Sequence, residues 1–204
     1  MTEGLSMQRI IVSDIFGRTR ALERLAAELG NKVRIVDPYG GEPMDFTSEE
    51  QAYDHFMAHV GLASYRQLLS AHLGGLAMPT SLIGFSVGAA ALWQLAAHKG
   101  LDNITGMLLF YGGQIRHHLE LTPTIPVTLV LPKSEPHFDI NDLAQALSAK
   151  ENVEIISTEF NHGFMNACSR HYAKEAYQSY VQALGDMGAQ YCWSQLHLGS
   201  RNSG

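Results

Sequence analysis

Residues 82–92 have the sequence LIGFSVGAAAL, in which a short apolar run reaches a Gly-x-Ser-x-Gly motif and continues into small residues. The apolar run predicts a buried strand, and the Ala- and Leu-rich residues 88–97 have good helix propensity. The motif therefore predicts a sharp turn at Ser86 between a strand and a helix. Gly84 and Gly88 fit a turn in which that strand and helix pass close to each other.

A serine on such a turn is typical of the nucleophile elbow of hydrolases, in which a strained backbone presents the hydroxyl above the sheet. A buried glycine-rich turn is the alternative, because a bare Gly-x-Ser-x-Gly motif is common. The predicted strand before Ser86 and the predicted helix after it favour the nucleophile.

The composition is that of a globular chain, with 204 residues of which 46% are hydrophobic and 17% charged. We expect one α/β domain over residues 1–204, with a C-terminal tail of uncertain order from about residue 186. A formal net charge of −6 without clustered Lys and Arg argues against nucleic acid as a partner. The N-terminus lacks a basic segment followed by an apolar stretch, which is the pattern of a secretory signal. We therefore expect a cytoplasmic protein.

Residues 67–98 contain no Asp, Glu, Lys or Arg, and the run is long enough to suggest a membrane span. Gly74, Gly75 and Pro79 interrupt the run, however, and favour a helix, a loop, a buried strand and a second helix. We therefore expect no membrane partner.

The two cysteines of the chain are Cys168 and Cys192. They lack the spacing of metal ligands, and with no export signal we expect reduced thiols rather than a disulfide.

Six apolar segments alternate with segments of helical periodicity along the chain. We predict strands over residues 8–13, 32–37, 80–84, 104–111, 126–131 and 153–160. Helices are predicted near residues 22–29, from residue 48, from residue 62, over 88–97, around 143–147 and from residue 164. This alternation predicts an α/β protein with a mainly parallel six-stranded sheet, helices on both faces, and ligands beyond the carboxyl ends of the strands.

Two of the predicted helices have recognisable patterns. Ser48 and Gln51 form a capping-box signature, and the helix that follows is predicted to bury Tyr53, Phe56, Met57 and Val60. In the last helix, a repeat of four residues predicts one buried face formed by Cys168, Tyr172, Ala176, Tyr180 and Leu184.

A serine nucleophile needs a base to take its proton and an acid to orient the base, and in this kind of fold they follow in the order Ser, acid, His. His162 comes after the last predicted strand, where the base is expected. Glu135 and Asp139 both follow the preceding strand. We choose Glu135, because Asp139 stands where a helix N-cap is expected.

An oxyanion hole in this kind of fold uses two backbone N–H groups, one from the residue after the nucleophile and one from a loop after an early strand. Val87 and Ile15 occupy those positions. Arg18, Arg116 and His117 also follow strands, and they are candidates for binding a substrate carboxylate.

Two pairs of histidines raise the question of a metal site. His55 and His59 have helical spacing, and His117 and His118 are adjacent. No His-Glu-x-x-His motif or cysteine partner accompanies them, and polar helix faces commonly carry histidine. We expect neither a metal nor a cofactor.

With these residues placed, the chain resembles the dienelactone hydrolase family of α/β-hydrolases over roughly residues 8–185. The Asp14-Ile15-Phe16-Gly17 turn is similar to that family's acidic-Ile-Phe-Gly turn, and Tyr111-Gly112 to its Tyr-Gly strand end. The most specific motif is His162-Gly163-Phe164, which is similar to the family's catalytic His-Gly-Phe.

The resemblance implies that Ser86 is the nucleophile, His162 the base, Glu135 the acid and Ile15 an oxyanion donor. It also implies that Asp14 is the acidic neighbour of the nucleophile. The chain departs from the family pattern in three respects. It has Ser86 where the namesake enzymes use cysteine and Glu135 where aspartate is usual, and it lacks the glycine of the acid loop around Pro132.

The family's N-terminal hairpin is also not evident in the sequence. We therefore expect a serine hydrolase of a small ester, thioester or lactone rather than of dienelactone specifically. The alternative is a non-catalytic protein with a hydrolase fold that binds a ligand or a partner.

Overall fold

The computed structural model describes residues 7–98 and 100–186. In chain order, the secondary structure elements are β1 (Gln8–Val12), α1 (Arg20–Glu28), β2 (Val33–Val36), α2 (Glu49–His59), α3 (Gly61–Leu73), β3 (Thr80–Phe85), α4 (Val87–Ala96), β4 (Ile104–Phe110), a 3₁₀ helix (Gly113–His117), β5 (Val127–Leu131), α5 (Ile140–Ser148), β6 (Val153–Ser157) and α6 (Lys174–Asp186).

The six strands form one sheet in the order β2-β1-β3-β4-β5-β6. All five neighbouring pairs are parallel. The predicted α/β class and six-stranded parallel sheet are thereby confirmed. Because parallel strands share a direction, their carboxyl ends lie at the same edge of the sheet.

Helices cover both faces of the sheet because side chains alternate along each strand. In β4, Met107 and Leu109 pack into a core that includes residues of α3, α4 and α5. Leu108 and Phe110 point to the opposite face, where they share a second core with residues of α1 and α6. Strands buried on both faces explain the continuous apolar runs in the sequence.

The predicted cap of α2 is present, because Ser48 Oγ accepts a hydrogen bond from the Gln51 N–H at 3.1 Å. The predicted buried face of this helix is wrong in part. Phe56 is buried, but Tyr53 and Met57 are 44% and 53% exposed. The buried face runs through Ala52 and Phe56, which are one helical turn apart, so the helix presents a narrower apolar stripe than the sequence suggested.

The last helix begins at Lys174, so the predicted start at residue 164 is wrong. Short polar side chains fold the intervening residues into turns: Asn166 Oδ1 accepts from the Cys168 N–H, and Ser169 Oγ from the His171 N–H. Cys168 therefore lies exposed in a turn and not on a helix. The predictions for Cys192 and for the C-terminal tail lie outside the described residues, apart from Asp186 at the end of α6.

The uncharged residues 67–98 form the end of α3, all of β3 and all of α4. Within the described ranges, no helix combines the length and the apolar character that a membrane span requires.

Candidate active site

Ser86 joins the carboxyl end of β3 to the first turn of α4, with a backbone φ of 50° and ψ of −113°. Residues other than glycine rarely adopt this backbone conformation, which costs on the order of 1–3 kcal/mol. The turn is also crowded, because a Cβ atom at Gly88 would overlap the Ser13 carbonyl oxygen and the Val12 side chain. Glycine at that position lets the elbow lie against the end of β1, so that the loops after β1 and β3 meet.

A chain of hydrogen bonds connects Ser86, His162 and Glu135. Ser86 Oγ lies 3.0 Å from His162 Nε2, and His162 Nδ1 lies 2.6 Å from Glu135 Oε1. The carboxylate of Glu135 is mostly buried, with a side-chain exposure of 10%. A carboxylate that accepts from Nδ1–H leaves Nε2 unprotonated, and Nε2 can then accept the serine proton.

Asp139, the alternative acid, lies elsewhere. It caps α5, where its Oδ1 accepts a hydrogen bond from the Asn141 N–H at 2.8 Å. The structure therefore brings Glu135, and not Asp139, to His162.

The loop that bears His162 is tied to α2 by a contact that sequence reasoning missed. Ser169 Oγ donates to Glu49 Oε1 at 2.6 Å, and Ser169 is buried against Gly163. The ring of Tyr111 packs 4.9 Å from the imidazole of His162, measured between ring centroids. No motif in the sequence connects Glu49 with Ser169, because the two are far apart in the chain and only the packing of α2 brings them together.

Val87 and Ile15, whose N–H groups are the predicted oxyanion donors, line the same cleft as Ser86. Val87 is the first residue of α4, and its N–H has no acceptor within the helix. In the turn after β1, the Phe16 N–H donates to Asp14 Oδ1 and the Gly17 N–H to the Asp14 carbonyl. The Ile15 N–H makes no hydrogen bond to another described residue, which leaves it available to a ligand.

Asp14 is buried beside this turn. Its Oδ2 accepts a hydrogen bond from Asn166 Nδ2 at 2.6 Å, while Oδ1 accepts from the Phe16 N–H at 2.9 Å. Burial raises the pKa of the Asp14 carboxyl above its ordinary value, although these two hydrogen bonds oppose the shift. Asp14 thus connects the turn after β1 with the loop that bears His162.

A cleft of about 660 Å³ opens over Ser86, and its wall includes Arg116. The Arg116 guanidinium lies 4.8 Å above the ring of Phe138 and donates to the Gly113 carbonyl at 2.6 Å. Arg116 forms no ion pair with any acidic side chain in the described part of the chain. The Arg116 guanidinium is therefore held in place by a ring and a carbonyl.

Two of the predicted substrate-binding residues, Arg18 and His117, lie outside the cleft over Ser86, contrary to those predictions. Arg18 is exposed and pairs with Glu23 at 3.0 Å. His117 is exposed on the 3₁₀ helix and does not line the cleft. A position after a strand does not determine the direction of a side chain, and these two point into solvent.

One of the two histidine pairs noted in the sequence lies on α2. The rings of His55 and His59 stack at 4.2 Å on the surface of α2. Among residues 7–98 and 100–186, no group of three or more His, Cys, Asp and Glu side chains is arranged to hold a metal ion.

A parallel sheet with a serine elbow after its third strand and a histidine after its last defines an α/β-hydrolase. The chain belongs to the dienelactone hydrolase family, whose model matches residues 8–191. The protein is thus an enzyme of the hydrolase class.

The chain is also similar to individual known proteins. The uncharacterized protein YczH of Bacillus subtilis strain 168 is 28% identical over 177 residues, which cover 80% of this chain and 83% of YczH. A dienelactone hydrolase-like protein from Klebsiella pneumoniae has a similar solved structure, with a TM-score of 0.67, 22% identity, and coverage of 94% of this chain and 89% of that one.

The dienelactone hydrolase-like promiscuous phosphotriesterase P91 from metagenomic libraries also has this fold. Its TM-score is 0.63 at 15% identity, and the match covers 91% of this chain and 88% of P91.

Proposed function

We propose that this protein is a serine hydrolase that cleaves a small ester, thioester or lactone through an acyl-enzyme on Ser86. The observation that carries the proposal is the unbroken hydrogen-bond chain from Ser86 Oγ through His162 to Glu135, with contacts of 3.0 and 2.6 Å. Nucleophile, acid and base also follow one another along the chain in the order expected for this fold.

In the first step, His162 Nε2 accepts the proton of the Ser86 hydroxyl while Oγ attacks the carbonyl carbon of the substrate. The negative charge that develops on the carbonyl oxygen is stabilised by the N–H groups of Val87 and Ile15. Glu135 holds the imidazole and stabilises its positive charge.

In the second step, the tetrahedral intermediate collapses and the bond to the leaving group breaks, with the proton passing from His162 Nε2 to the departing oxygen or sulfur. Water then attacks the acyl-enzyme with His162 as the base, which releases the acid and restores Ser86. No metal or redox cofactor enters these steps.

Labelling of Ser86 tests the proposal. An alkyl fluorophosphonate is expected to add one phosphonyl group at Ser86, located by peptide mass spectrometry, and Ser86→Ala is expected to lose labelling and at least about 10³-fold in kcat on an aryl ester. Ser134 also lines the cleft but forms no hydrogen bond with His162, so Ser134→Ala is the matched control and is expected to keep both properties. Failure to label Ser86 in the folded protein would favour the non-catalytic alternative.

We further propose that Arg116 binds an anionic group on the substrate. Its guanidinium is positioned by Phe138 and Gly113, and it forms no ion pair with a described carboxylate. Within the cleft, the other arginine is Arg170, which is exposed and lies 3.8 Å from Glu49. The two arginines therefore offer a matched comparison.

Arg116→Gln is expected to raise KM for a para-nitrophenyl hemisuccinate about tenfold, because it removes a charge-assisted hydrogen bond. KM for the neutral para-nitrophenyl butyrate of similar size is expected to stay within about twofold. Arg170→Gln is expected to change neither. Equal effects of Arg116→Gln on both esters would show that Arg116 does not recognise the anion.

A further inference from the structure

An oxyanion hole built from a loop N–H requires that the loop be held rigid. The Val87 N–H belongs to a helix, which fixes its direction. Ile15 lies outside any strand or helix, in the turn after β1. Electrostatic stabilisation depends on donors that are already oriented before the reaction, so the groups that hold this turn determine its effectiveness.

The peptide that carries the Ile15 N–H is held from within the turn. The Gly17 N–H donates to the Asp14 carbonyl at 3.2 Å. In a planar trans peptide, the C=O and N–H groups point in opposite directions. The Ile15 N–H therefore points away from the hydrogen bond inside the turn, and Ile15 and Ser86 both line the cleft.

The next peptide, between Ile15 and Phe16, is held at both ends by side chains. The Tyr39 hydroxyl donates to the Ile15 carbonyl at 2.7 Å. Asp14 Oδ1 accepts from the Phe16 N–H at 2.9 Å. With one side chain on each side, this peptide cannot rotate without breaking a hydrogen bond.

Tyr39 itself is held in place by its surroundings. Its ring lies against Gly17, where φ is +70° and a Cβ atom would come within 2.5 Å of a ring carbon. Phe46 and His55 pack edge-on against the same ring, with centroid distances of 5.8 and 5.6 Å. Its N–H donates to Asp37 Oδ1 at 2.8 Å. The hydroxyl is thus directed by a packed ring rather than by a mobile side chain.

We propose that Tyr39 is a positioning residue for the oxyanion hole, and that its hydroxyl fixes the turn that presents the Ile15 N–H to the substrate. The inference rests on the proposed function of Ser86 and Ile15. Burial and the carboxylates of Asp14 and Asp37 raise the pKa of the Tyr39 hydroxyl, which keeps it protonated as a donor. The hydroxyl does not line the cleft and does not touch the reacting atoms.

Tyr39→Phe is the direct test, because it keeps the packed ring and removes only the hydroxyl. We expect kcat on a short aryl ester to fall about 10- to 100-fold with KM within about twofold, less than the loss of a whole oxyanion donor. The Ki of a trifluoromethyl ketone with the same acyl group is expected to rise by the same factor as kcat/KM falls, because its hemiketal oxyanion occupies the same hole.

The matched control is Tyr177→Phe. The Tyr177 hydroxyl donates to Glu28 Oε2 at the same distance of 2.7 Å, in a contact between α6 and α1 whose residues do not line the cleft. We expect this variant to keep the parent kcat and Ki. All rates are divided by the concentration of active sites, titrated with an alkyl fluorophosphonate. A partly unfolded sample is then not mistaken for an enzyme with a low kcat.

The possible outcomes separate the two proposals. If the parent protein hydrolyses the ester but Tyr39→Phe keeps its kcat and Ki, the positioning role is overturned and the proposed function stands. A fall in titratable sites alone, with unchanged kcat per site, also overturns it and assigns Tyr39 a purely structural role. A parent protein with no phosphonylation at Ser86 would overturn both proposals.

Discussion

At the residue scale, the acid partner of His162 provides a direct comparison within the chain. Glu135 contacts His162 Nδ1, whereas Asp139 caps α5. Glu135→Gln is expected to lower kcat by up to about 10⁴-fold, the loss known when a protease triad acid becomes an amide that favours the wrong imidazole tautomer.

Asp139→Asn is expected to keep kcat, because asparagine is as good an N-cap as aspartate. Steady-state kinetics on one aryl ester and thermal melts of both variants check the ranking. The opposite ranking, with both proteins folded, would transfer the acid role to Asp139.

The sequence alone predicted which residues follow which strands. Because parallel strands end at the same edge of the sheet, this was enough to predict that Ser86, His162 and Glu135 lie together. It could not predict side-chain direction, which is why Arg18 and His117 were placed in the site although both point into solvent. Tyr39 could not be predicted either. Its role depends on a contact across the loops after β1 and β2, for which a sequence has no local signal.

At the element scale, the elbow between β3 and α4 was predictable because its demands are local. A serine in a strained backbone conformation needs small neighbours, and the sequence supplies Gly84, Gly88 and a run of alanines. Local steric rules of this kind leave a clear pattern in the sequence.

The start of α6 was not predictable in the same way. A spacing of four continues from Cys168 to Leu184, but the first residues of that series lie in turns. Asn166 and Ser169 offer their own side chains to nearby N–H groups, and these contacts replace the helical hydrogen bonds. Contacts from elsewhere in the fold favour these turns over a helix. Asn166 donates to Asp14, and Ser169 donates to Glu49.

At the scale of the whole molecule, the connection from β4 to β5 bears on the size of the substrate. In the described structure this connection contains the short 3₁₀ helix Gly113–His117 and no further helix. Lids of hydrolases are usually long insertions between such strands, so the cleft over Ser86 is expected to be open.

We therefore expect turnover of para-nitrophenyl esters to be highest for short acyl chains and to fall from butanoyl to dodecanoyl. Activity is expected to pass smoothly through the critical micelle concentration of the longer esters, because the connection from β4 to β5 forms no lid that an interface could open. Initial rates across that series measure both properties. A steep rise with chain length and a jump at micelle formation would contradict the open cleft.

The strand order β2-β1-β3-β4-β5-β6 also determines when activity can arise during folding. In this sheet, no hydrogen-bonded pair is joined by a hairpin, because each parallel neighbour is reached through a crossover. Such long-range pairing is slow to form. His162 follows β6, one of the two edge strands of this sheet, which pairs with β5. Activity can therefore return after denaturation only once β6 has paired with β5, because His162 reaches Ser86 from the end of that strand.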